Sequence, residues 1–470
     1  KRSASIFLKD WLNNPSRKPL VMRGARQVGK TWLIRDLAES QSLTLIELNL
    51  EKRPELAEHF SSNDPRRILS DLEADLGLNI NREACILFLD EIQAIPSLLA
   101  TLRWFREEMP ELAVVAAGSL LDFTLTEHDF SMPVGRIMYC HIEPLSFFEF
   151  LDASGNEKLR EALCAASETG TLTPRLHERS LELFSEYCLT GGLPEIVAEW
   201  VENRNDDQRL QLQRDLIATY RDDFNKYRKR VPTDLLRRVM DAVPKQLGNR
   251  FVYSHVDTDS SHRNLKQAVE MLSLARVCHR IEHTAANGLP LGAESNPRLF
   301  KMIMTDIGIT TVQLGLSRLE FRNLSQVVWA NKGGLAEQFV GQQLRYLFKP
   351  WEEPRLFYWQ RTGGRQGELD FIYQHGPHII PIEVKAGSAG SMKSLHAFMQ
   401  CKQLPLALRL DTNPPSMQDL DVRTTTGEQV RYRLLSLPIY MTETLPFAIE
   451  RALRASSSAR TSTIRSSLRG

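Results

Sequence analysis

The stretch GARQVGKT, residues 24–31, constrains the fold of this 470-residue chain more than any other segment. It fits the pattern G-x-x-x-x-G-K-[ST], follows the short apolar segment KPLVMR, and precedes KTWLIRDLAES, whose apolar residues have helical spacing. A glycine-rich loop between a strand and a helix turns its backbone N–H groups toward bound phosphates. We therefore expect a phosphate-binding loop in an α/β fold.

The chemistry of this loop indicates ATP and Mg²⁺ as ligands. Gly24 and Gly29 permit the tight turn, Lys30 is expected to reach the β- and γ-phosphates, and the Thr31 hydroxyl is expected to bind Mg²⁺. The predicted nucleotide-binding residues of the loop are Gly24, Ala25, Arg26, Gln27, Val28, Gly29, Lys30 and Thr31.

Further along the chain, CILFLDEIQ is an apolar run that ends in two acids. We expect Asp90 to hold Mg²⁺ and Glu91 to act as general base on the attacking water. Ser119 ends the strand-like VVAAGS, where it either orients that water or only terminates the strand. Arg136 either reaches the γ-phosphate of a neighbouring subunit in a homo-oligomer or forms a surface ion pair.

Changes in sequence pattern divide the chain into predicted domains. Strand-like and helix-like segments alternate up to about residue 145, which predicts a parallel sheet covered on both faces. Helical segments follow, and then a helix, a turn, a helix and two strands, which fit a winged helix or a small helical lid. The predicted boundaries are 1–145 for the P-loop core, 146–230 for the helical lid, 231–325 for the winged-helix-like region, 326–450 for a small α/β nuclease-like domain, and 451–470 for a disordered tail.

The segment ELDFIYQHGPHIIPIEVK carries a second constellation. Asp370 and Glu383 are expected on adjacent strands, where two carboxylates can bind Mg²⁺ through oxygen ligands. Lys385 is two residues from Glu383 and so shares its face, where it can act on the attacking water. This pattern resembles that of the PD-(D/E)xK nucleases, in which the preceding helix often supplies a glutamate to the metal; the resemblance makes Glu337 the candidate third metal ligand. The alternative is a buried acid–lysine network that only stabilises the sheet.

Two neighbours extend this constellation. Glu368 shares a strand face with Asp370, which makes it a candidate supporting acid, and the carbonyl of Val384 is an expected metal ligand. Leu369 stands where the PD-(D/E)xK nuclease pattern usually has proline. We expect a nuclease-like site, with cleavage as a separate question.

Net charge limits the way in which the chain can bind nucleic acid. The formal net charge is +1, so binding must come from local basic surface. The candidate cations that could contact phosphates are Lys226, Arg228, Lys229, Arg230, Arg237, Arg238, Arg361 and Arg365. The expected partner is nucleic acid, with DNA favoured.

Cysteine usage and hydropathy indicate a cytoplasmic protein. The six cysteines form no CxxC pair, which is typical of reduced thiols in the cytosol. No apolar run reaches the roughly 18 residues of a membrane-spanning helix, and the first residues lack the apolar core of a secretory signal. We expect no membrane association.

Several of these segments together resemble a large prokaryotic family of AAA-superfamily ATPases, related to archaeal-type and STAND ATPases. The resemblance rests on KPLVMRGARQVGKTWLIRDLA, FLDEIQAIPSLLATLRW, VVAAGSLL, GRIMYCHIEPLSFFEFL, YCLTGGLPEIV, KMIMTDIGI, GGLAEQFVGQQL and FYWQRTGGRQGELDFI…IEVKAG. It implies a winged-helix region and a C-terminal restriction-endonuclease-like domain of the PD-(D/E)xK type. It also implies that the turn at Gly191, Gly192 and Pro194 lies near the nucleotide base.

Motifs and resemblance together predict an ATP-hydrolysing AAA-type protein that acts on nucleic acid through a Mg²⁺-dependent nuclease-like module. The alternative is an ATP-dependent regulatory switch whose C-terminal domain only binds nucleic acid or a protein partner, without cleavage.

Overall fold

The computed structural model describes residues 2–119, 121, 135–227, 231–316, 333–361, 367–385 and 392–454. A five-stranded parallel sheet with strand order β2-β3-β4-β1-β5 forms the core of the N-terminal part. Its strands are β1 (Leu20–Arg23), β2 (Thr44–Asn49), β3 (Cys85–Asp90), β4 (Ala113–Gly118) and β5 (Met138–His141). Every residue of β3 and β4 is buried, as expected for strands covered on both faces.

Helices cover both faces of this sheet. They are α1 (Ser3–Asn13), α2 (Lys30–Ser40), α3 (Pro65–Leu76) and α4 (Leu98–Glu108), with a 3-10 helix at Pro54–Ser61. The side chain of Asp64 caps α3 by accepting a hydrogen bond from the Arg66 N–H. The α/β alternation predicted from the sequence is confirmed here.

A helical region follows the parallel sheet. Its helices are α5 (Phe147–Ala153), α6 (Glu157–Thr169), α7 (Pro174–Thr190), α8 (Pro194–Asn203) and α9 (Asp206–Asp223). Ser146 and Glu149 begin α5 with a reciprocal capping box. The Gly191–Gly192 turn separates α7 from α8, as the sequence predicts.

The middle region contains two helices and a β-hairpin, followed by a short helix. These elements are α10 (Thr233–Ala242), α11 (His262–Leu274), β6 (Cys278–Thr284), β7 (Ser295–Met304) and α12 (Ile307–Gln313). The order fits the predicted winged helix. However, β6 also pairs in parallel with β8 (Leu356–Gln360), so one sheet extends across the predicted boundary at 325/326.

The C-terminal part completes that sheet, which has eight strands in the order β12-β13-β11-β10-β9-β8-β6-β7 and mixed parallel and antiparallel pairing. The remaining elements are α13 (Gly333–Arg345), β9 (Glu368–His375), β10 (His378–Val384), α14 (Lys393–Lys402), β11 (Leu406–Asp411), β12 (Ser416–Arg423) and β13 (Gln429–Pro438). The last three strands were not anticipated from the sequence.

The C-terminal end differs from the prediction in one respect. Residues 445–454 are helical and Ala452 is fully buried, so the tail predicted from residue 451 is wrong for 451–454. Residues 455–470 lie outside the described part of the chain. Within that part, no helix combines the length and the apolar character needed to cross a membrane. All six cysteines are free thiols.

Candidate functional site

The predicted phosphate-binding loop lies between β1 and α2. Gly29 has φ +90°, a left-handed conformation that favours glycine, and it directly precedes the first residue of α2. The Lys30 ammonium donates to the carbonyl oxygens of Gly24 at 3.0 Å and Ala25 at 2.8 Å. These bonds fold the lysine back over its own loop, beside the N-terminus of a helix that favours bound anions.

Burial gives Lys30 an unusual protonation equilibrium. Desolvation lowers the pKa of Lys30 to about 8, although the charges of Glu91 and Asp90 oppose that change. The ammonium and neutral forms are therefore about equally populated near pH 8.

We predict that ATP binding at about pH 8 takes up roughly half a proton, because phosphate charge favours the ammonium form of Lys30. Calorimetry in buffers of different ionisation enthalpy measures this uptake. Lys30→Arg is the matched control, since a guanidinium stays protonated and should remove the difference. Equal proton uptake in both proteins would contradict the assignment to Lys30.

The two acids at the end of β3 lie beside α2. The Thr31 hydroxyl donates to Asp90 Oδ2 at 3.1 Å, and Asp90 is 6% exposed. Burial and the neighbouring Glu91 charge raise the pKa of Asp90. A hydroxyl and a desolvated carboxylate beside a second carboxylate fit Mg²⁺, so Thr31 and Asp90 would hold the ion where it shields phosphate charge.

Gln93 is a site residue that sequence analysis missed. Glu91 has φ +52°, and its carboxylate accepts a hydrogen bond from the Gln93 amide. The Gln93 side chain also lies against Gly118, directly before the buried Ser119. Since β4 lies between β1 and β3, Ser119 is next to the space between the loop and Asp90, and its role in orienting water stays a prediction. The only sequence signal for Gln93 is its position two residues after Glu91.

Arg136 does not approach the nucleotide site of its own chain. Its guanidinium forms an ion pair with Glu107 at 2.8 Å, and the side chain is 49% exposed. Arg136 precedes β5, whereas the phosphate-binding loop follows the parallel strand β1. The two therefore lie at opposite ends of the sheet. The alternative of a surface ion pair is observed, and the role in a neighbouring subunit stays a prediction.

The helical region contacts the phosphate-binding loop directly. Pro194 Cγ lies 3.3 Å from the position that a Cβ on Gly29 would take. Arg26 forms an ion pair with Asp223 at 2.7 Å, and the Tyr220 hydroxyl donates to the Arg26 carbonyl at 3.1 Å. The turn that the resemblance placed near the nucleotide base thus lies against the loop itself.

Polar contacts extend from the loop to α13. Arg2 donates to the carbonyl oxygens of Val28 at 3.1 Å and Glu143 at 2.6 Å. The Glu143 carboxylate forms a bidentate ion pair with Arg345 at 2.6 and 3.1 Å. Burial would raise the pKa of Glu143, but Arg345 and His279 outweigh it and lower that pKa to about 2. Sequence analysis did not identify these contacts.

Buried glutamines also join α13 to its surroundings. Gln342 accepts a hydrogen bond from the Ile307 N–H at 2.8 Å, and Gln343 accepts one from the Phe147 N–H at 3.0 Å. Gln338 forms two bonds to the Met304 backbone. Each bond satisfies a buried polar group, so displacing α13 would cost several hydrogen bonds together.

The N-terminal half of α13 reaches the second predicted constellation, which we call the acidic cluster: Glu337, Glu368, Asp370, Glu383 and the two lysines Lys301 and Lys385. Lys301, on β7, is 1% exposed and was missed by sequence analysis. Its ammonium lies 2.9 Å from Glu337 and 3.7 Å from Asp370, and it contacts Glu368. Burial lowers the pKa of Lys301, but these carboxylates outweigh burial and raise it.

The β9–β10 hairpin supplies the rest of the acidic cluster. Asp370 Oδ2 accepts a hydrogen bond from the Val384 N–H at 2.7 Å. The Val384 backbone therefore contacts the acidic cluster through its N–H, whereas the sequence analysis expected its carbonyl as a metal ligand. The Lys385 ammonium donates to Glu383 Oε1, whereas Glu383 Oε2 is buried without a hydrogen-bond partner. Burial and the Asp370 charge raise the pKa of Glu383 to about 7.

The acidic cluster has more acids than bases. If all four carboxylates are ionised, the two lysines leave an excess of two negative charges. Burial and the Asp370 charge also raise the pKa of Glu337 to about 8, so protons offset part of this excess near neutral pH. A divalent cation carries the charge of two such protons.

The carboxylates of the acidic cluster are not arranged around a single point as a complete set of metal ligands. Across the described ranges, no three carboxylate, imidazole or thiol side chains are grouped as ready ligands around one point. The unpaired oxygen of Glu383 and the charge excess fit a divalent cation in donor chemistry. Lys301 provides the counter-charge for Glu337, Glu368 and Asp370 in this arrangement.

The parallel sheet, the G-x-x-x-x-G-K-T loop and the Asp-Glu pair on β3 define a P-loop NTPase. Residues 16–151 match the AAA domain family, so this part of the chain is an AAA-type ATPase domain. Residues 181–320 and 332–419 match two families described as domains of unknown function, DUF8612 and DUF4143. No curated protein matches this chain.

Three solved structures resemble parts of this chain at low sequence identity. The Walker-type ATPase PABY2304 of Pyrococcus abyssi is 18% identical over 67% of this chain and 95% of its own, with a TM-score of 0.43. ORC2 of Aeropyrum pernix is 11% identical over 66% and 91%, with a TM-score of 0.30. PCH-2 of C. elegans is 11% identical over 43% and 62%, with a TM-score of 0.26.

Proposed function

We propose that this AAA-type ATPase acts on nucleic acid, with DNA favoured, through the acidic cluster of its C-terminal domain. The observation that carries the proposal is Glu383, a buried carboxylate with one unpaired oxygen beside Asp370 and next to Lys385. A stability network would satisfy that oxygen, whereas a site for a cation or a reacting group leaves it available.

The residues of the acidic cluster suit phosphodiester hydrolysis. Lys385 would hold the attacking water and help to move its proton, and Asp370 and Glu383 would be the main metal ligands, with Glu337 as the candidate third. Bound Mg²⁺ would supply Lewis-acid polarisation of the phosphate and a lower pKa for water. The resemblance to the PD-(D/E)xK nucleases gives the same roles to Asp370, Glu383 and Lys385.

ATP is proposed to control access to the acidic cluster. Helix α13 carries Glu337 in its N-terminal half and Arg345 as its last residue. Arg345 is joined to the phosphate-binding loop through Glu143 and Arg2. A nucleotide that displaces the Lys30 ammonium from its loop carbonyls changes one end of this continuous set of contacts.

We predict that Asp370→Ala lowers Mg²⁺-dependent plasmid cleavage about 10²-fold or more and leaves ATP hydrolysis unchanged. Lys30→Ala should abolish hydrolysis and alter cleavage only through the ATP dependence. Glu428→Ala is the matched control, because Glu428 is an exposed acid of the same domain. If Asp370→Ala cuts as well as the wild type, the nuclease assignment is wrong.

The second candidate is an ATP-dependent switch that binds nucleic acid or protein without cleavage. Lys301 favours it, because its ammonium already forms ion pairs with three of the cluster carboxylates. Calorimetric titration of the whole protein with Mn²⁺ separates the two candidates. Absence of binding that depends on Asp370 and Glu383 would favour the switch.

A homo-oligomer completes the proposal. Arg136 is exposed and remote from its own nucleotide, which suits insertion into the site of a neighbouring subunit. Recovery of hydrolysis on mixing two inactive variants tests this role of Arg136.

A further inference from the structure

A cleft of about 730 Å³ opens beside the acidic cluster, between the middle region and the ends of β8 and β9. Its lining includes Lys245, Asn249, Arg250, His255, Glu368 and Ser394. We propose that this cleft binds the sugar-phosphate backbone of nucleic acid and leads one phosphodiester to the acidic cluster. The proposal rests on the proposed function and assigns the binding surface for its substrate.

The cleft and the acidic cluster are continuous because Glu368 belongs to both. Its carboxylate contacts the Lys301 ammonium, and its residue lines the cleft. The turn before Arg250 also closes over the cluster. Gly248 has φ +75°, and a Cβ there would lie 2.8 Å from Glu337 Oε1, so only glycine lets the turn approach so closely.

Backbone pairing aims Arg250 toward the same place. Arg250 forms an antiparallel bridge with Lys301, and the adjacent Phe251 N–H donates to the Phe300 carbonyl at 2.9 Å. Directly opposed residues in an antiparallel pair project from the same face. The Arg250 side chain therefore leaves the sheet beside the Lys301 side chain, whose ammonium lies in the acidic cluster.

The cations of the cleft are available to a ligand. Lys245 and Arg250 are exposed, and neither has a carboxylate within ion-pair distance in the described ranges. By contrast, Arg238 of the same region is paired with Asp257 at 2.7 Å. Unpaired lysine and arginine side chains along a cleft suit phosphate contacts, which position a nucleic acid without reading its sequence.

Gln246 adds a donor that the fold leaves unsatisfied. The residue is 8% exposed and lines the cleft. Its Oε1 accepts a hydrogen bond from the Val252 N–H at 2.8 Å, whereas its Nε2 is buried with no partner. A phosphate oxygen in the cleft would satisfy this N–H group.

The chemistry favours nucleic acid over an acidic peptide. The cleft has cations and an amide donor along its wall and the acidic cluster at its end. A phosphodiester chain uses both, because neighbouring phosphates bind the wall while one enters the cluster. The carboxylates of an acidic peptide could bind the cations of the wall, but the peptide has no phosphodiester on which the acidic cluster could act.

The experiment compares the double variant Lys245→Ala/Arg250→Ala with the wild type. Fluorescence anisotropy with a labelled DNA duplex and its single strand, in EDTA over a range of salt, measures affinity without cleavage. We expect the affinity of the double variant to fall on the order of tenfold. The negative slope of log K against log salt should become shallower by about 1.8 for the duplex or 1.4 for the single strand, because two phosphate contacts are lost. Lys52→Ala/Arg66→Ala removes the same charges from exposed positions in the AAA domain and should change little.

Each outcome decides between the two proposals. Unchanged affinity and slope in the double variant, with DNA still bound, would overturn the cleft assignment and leave the proposed function standing. Failure of the wild type to bind either DNA or the corresponding RNA, with and without a non-hydrolysable ATP analogue, would overturn both. Equal competition by polyglutamate would also overturn the cleft assignment, since it would identify a general site for acidic chains.

Discussion

Replacing Glu91 with glutamine should lower the rate of ATP hydrolysis by about 10²- to 10⁴-fold and leave ATP affinity nearly unchanged. The substitution keeps the shape and the contact with Gln93 but removes the carboxylate that is predicted to accept a proton from water. Thr31, Asp90 and Lys30, which are predicted to hold the nucleotide and Mg²⁺, stay intact. Single-turnover hydrolysis and binding of a non-hydrolysable analogue give the two quantities separately.

Glu83→Gln is the matched control, because Glu83 is an exposed glutamate of the same domain. If Glu91→Gln hydrolyses ATP at the wild-type rate, another group is the base. If it loses analogue binding as well, Glu91 acts mainly on nucleotide affinity, and the assignment as general base is again wrong.

The same variant tests Arg136 in a neighbouring subunit. Arg136→Ala should also hydrolyse ATP slowly if its guanidinium completes the adjoining site. In a mixed oligomer, an Arg136→Ala subunit still has Glu91, and a Glu91→Gln subunit still offers Arg136. Some interfaces then have both groups, so mixing two inactive proteins should restore hydrolysis. Without recovery in a mixture shown to form mixed oligomers, the trans role is ruled out.

The nucleotide site was largely predictable from sequence because its parts are local. Lys30 and Thr31 adjoin the glycines that fix the turn, and Asp90 ends an apolar run that can only be a buried strand. Each signal needs only a few consecutive residues. Gln93 was not predicted from the sequence, because its role depends on packing against Gly118 at the end of β4.

Long-range partners were not predictable in this way. Arg2 and Arg345 contact Glu143 from parts of the chain that are far apart in sequence, and no spacing rule connects them. Lys301 reaches the acidic cluster because β6 pairs in parallel with β8 and so brings β7 into the sheet. That pairing follows from packing of the whole C-terminal part. Asp370 and Glu383, by contrast, lie on one hairpin, so their proximity could be predicted from the sequence.

The winged-helix interpretation illustrates a different limit. The sequence gives the correct order of two helices and a hairpin in the middle region. Local patterns cannot tell whether a hairpin remains a free wing or joins another sheet, because both choices satisfy the same alternation of side chains. The parallel contact between β6 and β8 is therefore visible only in the structure.

Replacing Lys301 with methionine should produce the largest loss of stability of any single change at the acidic cluster. Methionine fills a similar volume but removes the ammonium that pairs with Glu337, Glu368 and Asp370. Breaking a buried ion pair by removing one partner costs about 3–5 kcal/mol, because the remaining charges stay buried and repel each other. Urea unfolding measures this loss.

The loss should depend strongly on pH. The folded-state pKa values of Glu337 and Glu383, about 8 and about 7, lie above the ordinary 4.5. Stability from these carboxyl groups is therefore present below pH 4.5 and is lost as pH rises through about 7 to 8. Without Lys301, carboxylate repulsion increases, so the variant should be close to wild type in acid and far less stable above pH 8.

Two further variants separate cluster electrostatics from packing. Lys349→Met removes an exposed lysine of the same domain and should cost little. Glu337→Gln added to Lys301→Met should recover part of the loss, since it removes one of the uncompensated charges. An equal loss in acid and in alkali, with no recovery by Glu337→Gln, would mean that Lys301 acts through its methylene packing.

Mg²⁺ then distinguishes the two proposed functions in the same protein. A divalent cation that binds Asp370 and Glu383 would replace the missing positive charge, so it should stabilise Lys301→Met above pH 8 more than it stabilises the wild type. Stabilisation that disappears on adding Asp370→Ala would support the metal-dependent site. If Mg²⁺ stabilises neither protein, Lys301 is the permanent counter-charge of a cluster that does not cleave, and the switch is the better account.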